Sequence, residues 1–149
     1  MTKRIALSAV IVLAGLGAGL GAARADGLDV IAVRQAGYDL QGGDFAYIRA
    51  VVKDKGDVKQ LEVPAKAIAR WAGLIPTLFP KGTETGGDTK ALPEIWSDPA
   101  GFQKIATAAS EAATKLSVDA KAGDAEAVAA DTKLLGEQCG ACHKAYRAK

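Results

Sequence analysis

The sequence predicts an all-α chain folded as an antiparallel, up-down-up-down four-helix bundle. Two observations carry that reading. Beyond the first 28 residues, nearly every long segment repeats its apolar positions at spacings of three and four, and none alternates long enough to make a strand. The resulting stripes are separated by turn signals, and some separators are short enough that consecutive helices must fold back on each other.

The first helix is expected over Asp29–Lys53, where Ile31, Arg34, Tyr38, Gln41, Phe45, Ile48 and Val52 step by three and four along one stripe. That stripe is apolar at its ends and polar in the middle. An inward polar patch needs a partner; otherwise the stripe turns outward there. Gly37, Gly42 and Gly43 beside it weaken the helix and imply either a kink or room for something bulky. After the Gly56-Asp57 turn, Val58, Leu61, Ala65, Ile68, Ala72 and Ile75 form the second stripe. Pro64 either kinks that helix or starts its main part. Lys81–Pro93 reads as a loop from its Gly, Thr, Asp and Pro content, and it is long for a bundle connection. Asp98-Pro99 is a capping Asp before a first-turn Pro, and Phe102, Ile105, Ala109, Ala112 and Leu116 continue as the third stripe. Gly123-Asp124 ends that helix and caps the next. On the last helix Val128, Thr132, Leu135, Cys139, Cys142 and Tyr146 align. Such an Ala-rich core fills poorly with side chains alone, and a bound group inside the bundle would repair that.

Lys3 and Arg4 precede a charge-free run, Ile5 to Gly21, and Ala23-Arg24-Ala25 follows. This is the layout of a secretory signal peptide. A retained membrane anchor is the alternative, but the run is at the short edge of the ~17–25 residues that span a bilayer. The expected division is a cleaved leader, residues 1–25, and one domain, residues 26–149, located in the periplasm and free of the membrane. The whole chain has a net charge of +2. Without the leader, 16 basic face 17 acidic residues, a net −1. The basicity therefore belongs to the leader, and no nucleic-acid partner is implied. Two Cys and one His exclude a multi-disulfide scaffold and fall short of a four-ligand structural zinc site.

Cys139-Gly140-Ala141-Cys142-His143 carries the chemistry. C-x-x-C-H is the attachment pattern of c-type haem. Cys139 and Cys142 are three apart and share a helix face, so each thiol can add to one haem vinyl. His143 lies on the same side and can present a neutral imidazole to the iron. A thiol oxidoreductase is the competing reading, but that motif belongs in a strand–helix setting. The remaining composition matters as much. His143 is the only His and Met1 the only Met, so residues 26–149 offer no Met or second His for the sixth iron position. Lys, Tyr and the N-terminal amine remain as rarer ligands. The simplest reading is a five-coordinate, high-spin iron with an open face, and pocket polarity and access decide what binds there.

Here a resemblance becomes specific. C-x-x-C-H-x-x-Y-R on the last of four helices, the Arg34-Gln35 pair, the Gly86-Gly87-Asp88 loop and Pro93-Glu94-Ile95-Trp96 together resemble the cytochromes c′. The likeness covers essentially all of residues 26–149. It implies that Arg34 and Gln35 lie near the haem propionates, that Asp88 approaches the haem, and that Trp96 sits beside it, unless Trp96 is plain core packing. It implies that Arg147 lies on the proximal side of His143, unless it is a dipole-matched surface charge. Low-spin relatives of the cytochrome c-556 type carry a Met where this chain has Tyr38. Tyr38 is therefore expected in the distal pocket, as a steric gate or hydrogen-bond donor, with direct ligation the alternative. The resemblance also implies a homodimer packed through the first two helices, where Val33 and Tyr47 lie off the main stripe.

Three functions compete. The chain binds nitric oxide or carbon monoxide, it carries single electrons as a cytochrome c-556 does with a filled sixth position, or it is a peroxidase-like enzyme. The last wants a distal acid–base residue, and no distal His exists, so a non-enzymatic role is expected.

Overall fold

The computed structural model describes residues 29–149; the expected leader lies outside them. Four long helices form the bundle: α1, Val30–Lys53; α2, Glu62–Leu74; α4, Pro99–Ala122; and α5, Ala125–Tyr146. A fifth, short helix α3, Glu94–Ser97, was not expected from the sequence, because four residues are too few to establish a period. The long helices meet cyclically, α1 on α2, α2 on α4, α4 on α5, and α5 back on α1. The last of these contacts is the sparsest. No helix among the described residues is long and apolar enough to cross a membrane.

The helix ends follow local chemistry. Asp29 caps α1, its Oδ1 accepting from the Ile31 and Ala32 amides at 3.0 and 3.2 Å. Val58–Leu61 forms a 3₁₀ turn that runs into α2. Pro64 then falls in the first turn of α2, where a missing N–H costs nothing, so it starts the helix rather than kinking it. A second 3₁₀ turn, Ile75–Leu78, holds Pro76. Asp98 caps α4 through the Gly101 amide at 3.0 Å. Gly123 closes α4 in the left-handed region, at φ +80°, where only glycine is unstrained. Asp124 caps α5 through the Ala127 amide.

All six positions of the second stripe are buried. Ile48, Leu61, Ile68, Leu116, Val128 and Leu135 are the largest fully enclosed side chains. Truncating Leu116 to Ala would cost about 2–5 kcal/mol at such a site. The polar middle of the α1 stripe does face inward: Arg34 is only 2% exposed.

Candidate functional site

A cavity of about 450 Å³ opens between α1, α4, α5 and the segment 88–91. That volume lies within the range of pockets that enclose a small organic ligand. α5 contributes Cys139, Cys142 and His143, and α1 contributes Arg34, Gln35, Tyr38 and Phe45. Phe102, Ile105 and Ala109 of α4 line it as well. The C-x-x-C-H motif and the polar patch on α1, more than 90 residues apart in sequence, are thus walls of one space.

Both thiols are free and half-buried. Burial pushes the Cys142 thiol up to about 11, with Cys139 adding to the rise, and burial also raises Cys139. A disulfide oxidoreductase needs the opposite, a lowered thiol pKa. Burial, helped by the Arg147 charge, lowers His143 below the ordinary histidine range. Its imidazole is therefore neutral near pH 7, which is the form that binds metal.

Arg34 is the best-defined polar group in the wall. Its Nη1 donates to the Leu78 carbonyl at 3.1 Å and to Thr83 Oγ1 at 2.9 Å, and its Nη2 donates to the Thr83 carbonyl at 3.1 Å. The guanidinium lies 4.2 Å above the Phe79 ring. Among the described residues it has no carboxylate within ion-pair distance. A buried cation without a counter-charge is costly. An anionic group in the cavity would meet that need, and the carboxylates of a haem fit it. Apolar walls, two thiols, a neutral imidazole and this buried guanidinium without an ion-pair partner together suit haem c.

The other expected residues are placed unevenly. Gln35 is half-buried in the wall, while Asp88 and Arg147 line the cavity with exposed side chains. The Arg147 backbone bridges to Ala91, with Leu92 N donating to the Tyr146 carbonyl at 3.1 Å and Ala148 N to the Lys90 carbonyl at 2.8 Å. The Tyr38 ring meets Trp71 edge-on, with centroids 6.1 Å apart. Burial drives the Tyr38 phenol well above its ordinary pKa, the Cys142 thiol adds to this, and Arg34 and Arg147 oppose it. Trp96 is not among the lining residues. α3 turns its indole toward the 79–80 backbone, where Nε1 donates to the Phe79 carbonyl at 3.0 Å. From there rings run Trp96, Phe79, Phe102, Tyr146 at centroid spacings of 5.7, 5.2 and 5.1 Å. Only the last two of these rings reach the cavity, so Trp96 braces Phe79 beneath Arg34.

Sequence reasoning missed Trp71, Thr83 and the buried Tyr146 hydroxyl. Trp71 sits three after Ile68 and four before Ile75, so its register was available. Its Nε1 is buried without a partner, and its indole is pressed against the Gly37 backbone. The Tyr146 hydroxyl donates to Asp98 Oδ2 at 2.9 Å, joining the end of the C-x-x-C-H helix to the cap of α4. Thr83 lies in the loop, where no periodicity exists to flag it.

Comparisons with known proteins point one way. The family model described as Cytochrome C' matches residues 29–147. The chain is 37% identical over 123 residues to a cytochrome c' of Alcaligenes xylosoxydans xylosoxydans, covering 81% of this chain and 94% of the relative. The solved cytochrome c' of Thermochromatium tepidum superposes with a TM-score of 0.75 at 30% identity, over 80% of this chain and 95% of that one. A ferrous variant of the Alcaligenes xylosoxidans protein with bound nitric oxide gives 0.72 at 34% identity, covering 81% and 94%.

Proposed function

Since this chain belongs to the cytochrome c′ family, whose members carry one covalently bound haem c, we propose that it binds small neutral diatomic molecules such as nitric oxide and carbon monoxide at an iron with one open face. The bound haem supplies that iron, which takes the diatomic ligand and exchanges single electrons between its ferric and ferrous forms. The observation that carries the reading is a shortage of ligands: beyond Met1 the chain has no Met, and beyond His143 no His.

The chain's own residues then take distinct parts. Cys139 and Cys142 tether the group from one helix face, and His143 offers it a neutral nitrogen. Arg34, held in place by Leu78 and Thr83, pairs with a propionate, a charge-assisted contact, and Gln35 assists. Asp88 and Arg147 flank the periphery from the loop and from the end of α5. Tyr38 stands on the open side. Its phenol is held neutral by burial, which favours a steric gate or hydrogen-bond donor over a phenolate ligand. Nitric oxide bound to a relative 34% identical supports the same ligand class here. The charged start, apolar run and small-x-small end of the leader support cleavage near residue 25 and a periplasmic location. Exposed Leu40 and Tyr47 on α1 and Leu74 on α2 support pairing of two copies through these helices.

Ferric and ferrous absorption spectra, with and without carbon monoxide, test the reading. A high-spin ferrous spectrum that shifts with carbon monoxide is expected. A low-spin spectrum indifferent to the gas would replace it with the second reading, a c-556-type electron carrier whose sixth position is filled by Lys, Tyr or the N-terminal amine.

A further inference from the structure

A second hollow lies outside the haem cavity. It is a groove of about 750 Å³ between α1 and α5, the neighbouring long helices with the sparsest contact. Ala46, Ala50, Val52 and Ala129 give its wall apolar surface, the buried Thr132 lies among them, and the exposed Arg49, Lys53 and Lys133 line it as well. Phe45 is the one residue that lines both the groove and the haem cavity. Its ring is half-buried and reaches across to α5, where a Cβ built on Gly136 would stand 3.4 Å from Phe45 Cζ. Gly136 lines the groove but not the cavity. The ring is therefore the partition between the two spaces, and the bare backbone of Gly136 leaves it the space to move.

We propose that the α1–α5 groove is the path by which a neutral diatomic reaches the cavity, and that Phe45 sets the rate of passage. The inference rests on the gas-binding reading and adds to it a route and a rate-determining side chain. The cavity's other edge is lined by Asp88, Lys90 and Arg147, a hydrated, charged border that does not favour an apolar gas. The groove also carries charges, but Ala46, Ala50, Val52 and Ala129 give it apolar surface that leads to the Phe45 ring. The path enters from the α1 side, where Tyr38 also stands.

The test is flash photolysis of the carbon monoxide complex of the haem-loaded protein, paired with equilibrium titration. Gly136→Ala puts a methyl against the ring. It should slow association and dissociation by the same factor, roughly threefold or more as expected for a gating step, and leave Kd and the ferrous spectrum unchanged. Phe45→Ala should speed association by a similar factor. NMR signals of the Phe45 ring, recorded without gas, should show microsecond–millisecond exchange that Gly136→Ala suppresses. Unchanged rates in both variants, or a Kd that moves with the association rate in Gly136→Ala, would overturn the route. A rigid Phe45 ring would do the same. If the parent protein binds no carbon monoxide, the gas-binding reading fails instead, so the two failures are distinct.

Discussion

Two glycines on α1 should respond in opposite directions to the same substitution. Gly43 is exposed, and a Cβ there would meet nothing within 4 Å. Gly43→Ala therefore gains only the helix-propensity difference, about 1 kcal/mol of stability. Gly37 is buried, and its Cβ would overlap the Trp71 indole. Gly37→Ala gains the same ~1 kcal/mol of propensity but overpacks the α1–α2 contact, at about 1–3 kcal/mol or more. Displacing Trp71 also weakens its edge contact with Tyr38, worth about 0.5–1.5 kcal/mol. The net is a loss of about 1–3 kcal/mol, so the two variants should differ by about 2–4 kcal/mol. For a domain of this size that is a Tm gap on the order of 10 °C. Thermal unfolding of the haem-loaded variants, followed by circular dichroism, measures it. Because Trp71 leans on Tyr38, Gly37→Ala should also perturb the carbon monoxide spectrum, and Gly43→Ala should not. If Gly37→Ala stabilises the protein as much as Gly43→Ala does, the close Trp71–Gly37 approach is wrong.

Three further outcomes follow from the site. Tyr38→Met should give six-coordinate, low-spin character; an unchanged absorption spectrum would mean that Tyr38 does not face the iron. Replacing both Cys139 and Cys142 by Ser should leave no haem on the chain after denaturing electrophoresis and haem staining, whereas a single replacement should still show it. Tyr146→Phe keeps the ring against Phe102 and loses only the hydroxyl bond to Asp98, so urea unfolding should show about 1 kcal/mol less stability; no loss would mean that water replaces that bond at no cost.

Most of the fold was legible because amphipathic periodicity is a dense signal. Each of the four stripes repeats over several turns, and all six positions of the second are buried, with Ala69 added beside them. The ends were legible for a different reason: Asp98-Pro99 and Gly123-Asp124 act locally, through a carboxylate on free amides and a glycine at positive φ. What the stripes did not contain was α3, one turn long, and the hydrogen bonds of Arg34. The inward position of Arg34 was readable from its register. Its partners Leu78 and Thr83 were not, because they lie more than 40 residues away across a turn and a loop without period. Trp96 shows the limit of motif likeness. The residue falls where the pattern expects it, yet its indole N–H is committed to the Phe79 carbonyl and its ring packs away from the cavity. The five residues of the C-x-x-C-H motif stand out in the sequence because their chemistry depends on spacing within a single helix, and α5 does carry them, with Cys139, Cys142 and His143 lining the cavity.

The long connection from Lys81 to Pro93 counts 13 residues, but it is pinned near both ends. Arg34 grips Thr83, and the Lys90 and Leu92 backbone is stitched to residues 146–148. Only Glu84–Thr89, six residues, runs unsupported by those ties, and a bond from the Thr89 amide to the Gly86 carbonyl folds even that stretch. Shortening the free span from 13 to six residues lowers its closure entropy cost by only about 0.7 kcal/mol. The larger consequence is for change over evolutionary time. Insertions and deletions should be tolerated within 84–87 and rejected on either side of it, because there each added residue pulls on a guanidinium, displaces Asp88 from the cavity wall or unpicks a bridge rather than lengthening a free arc.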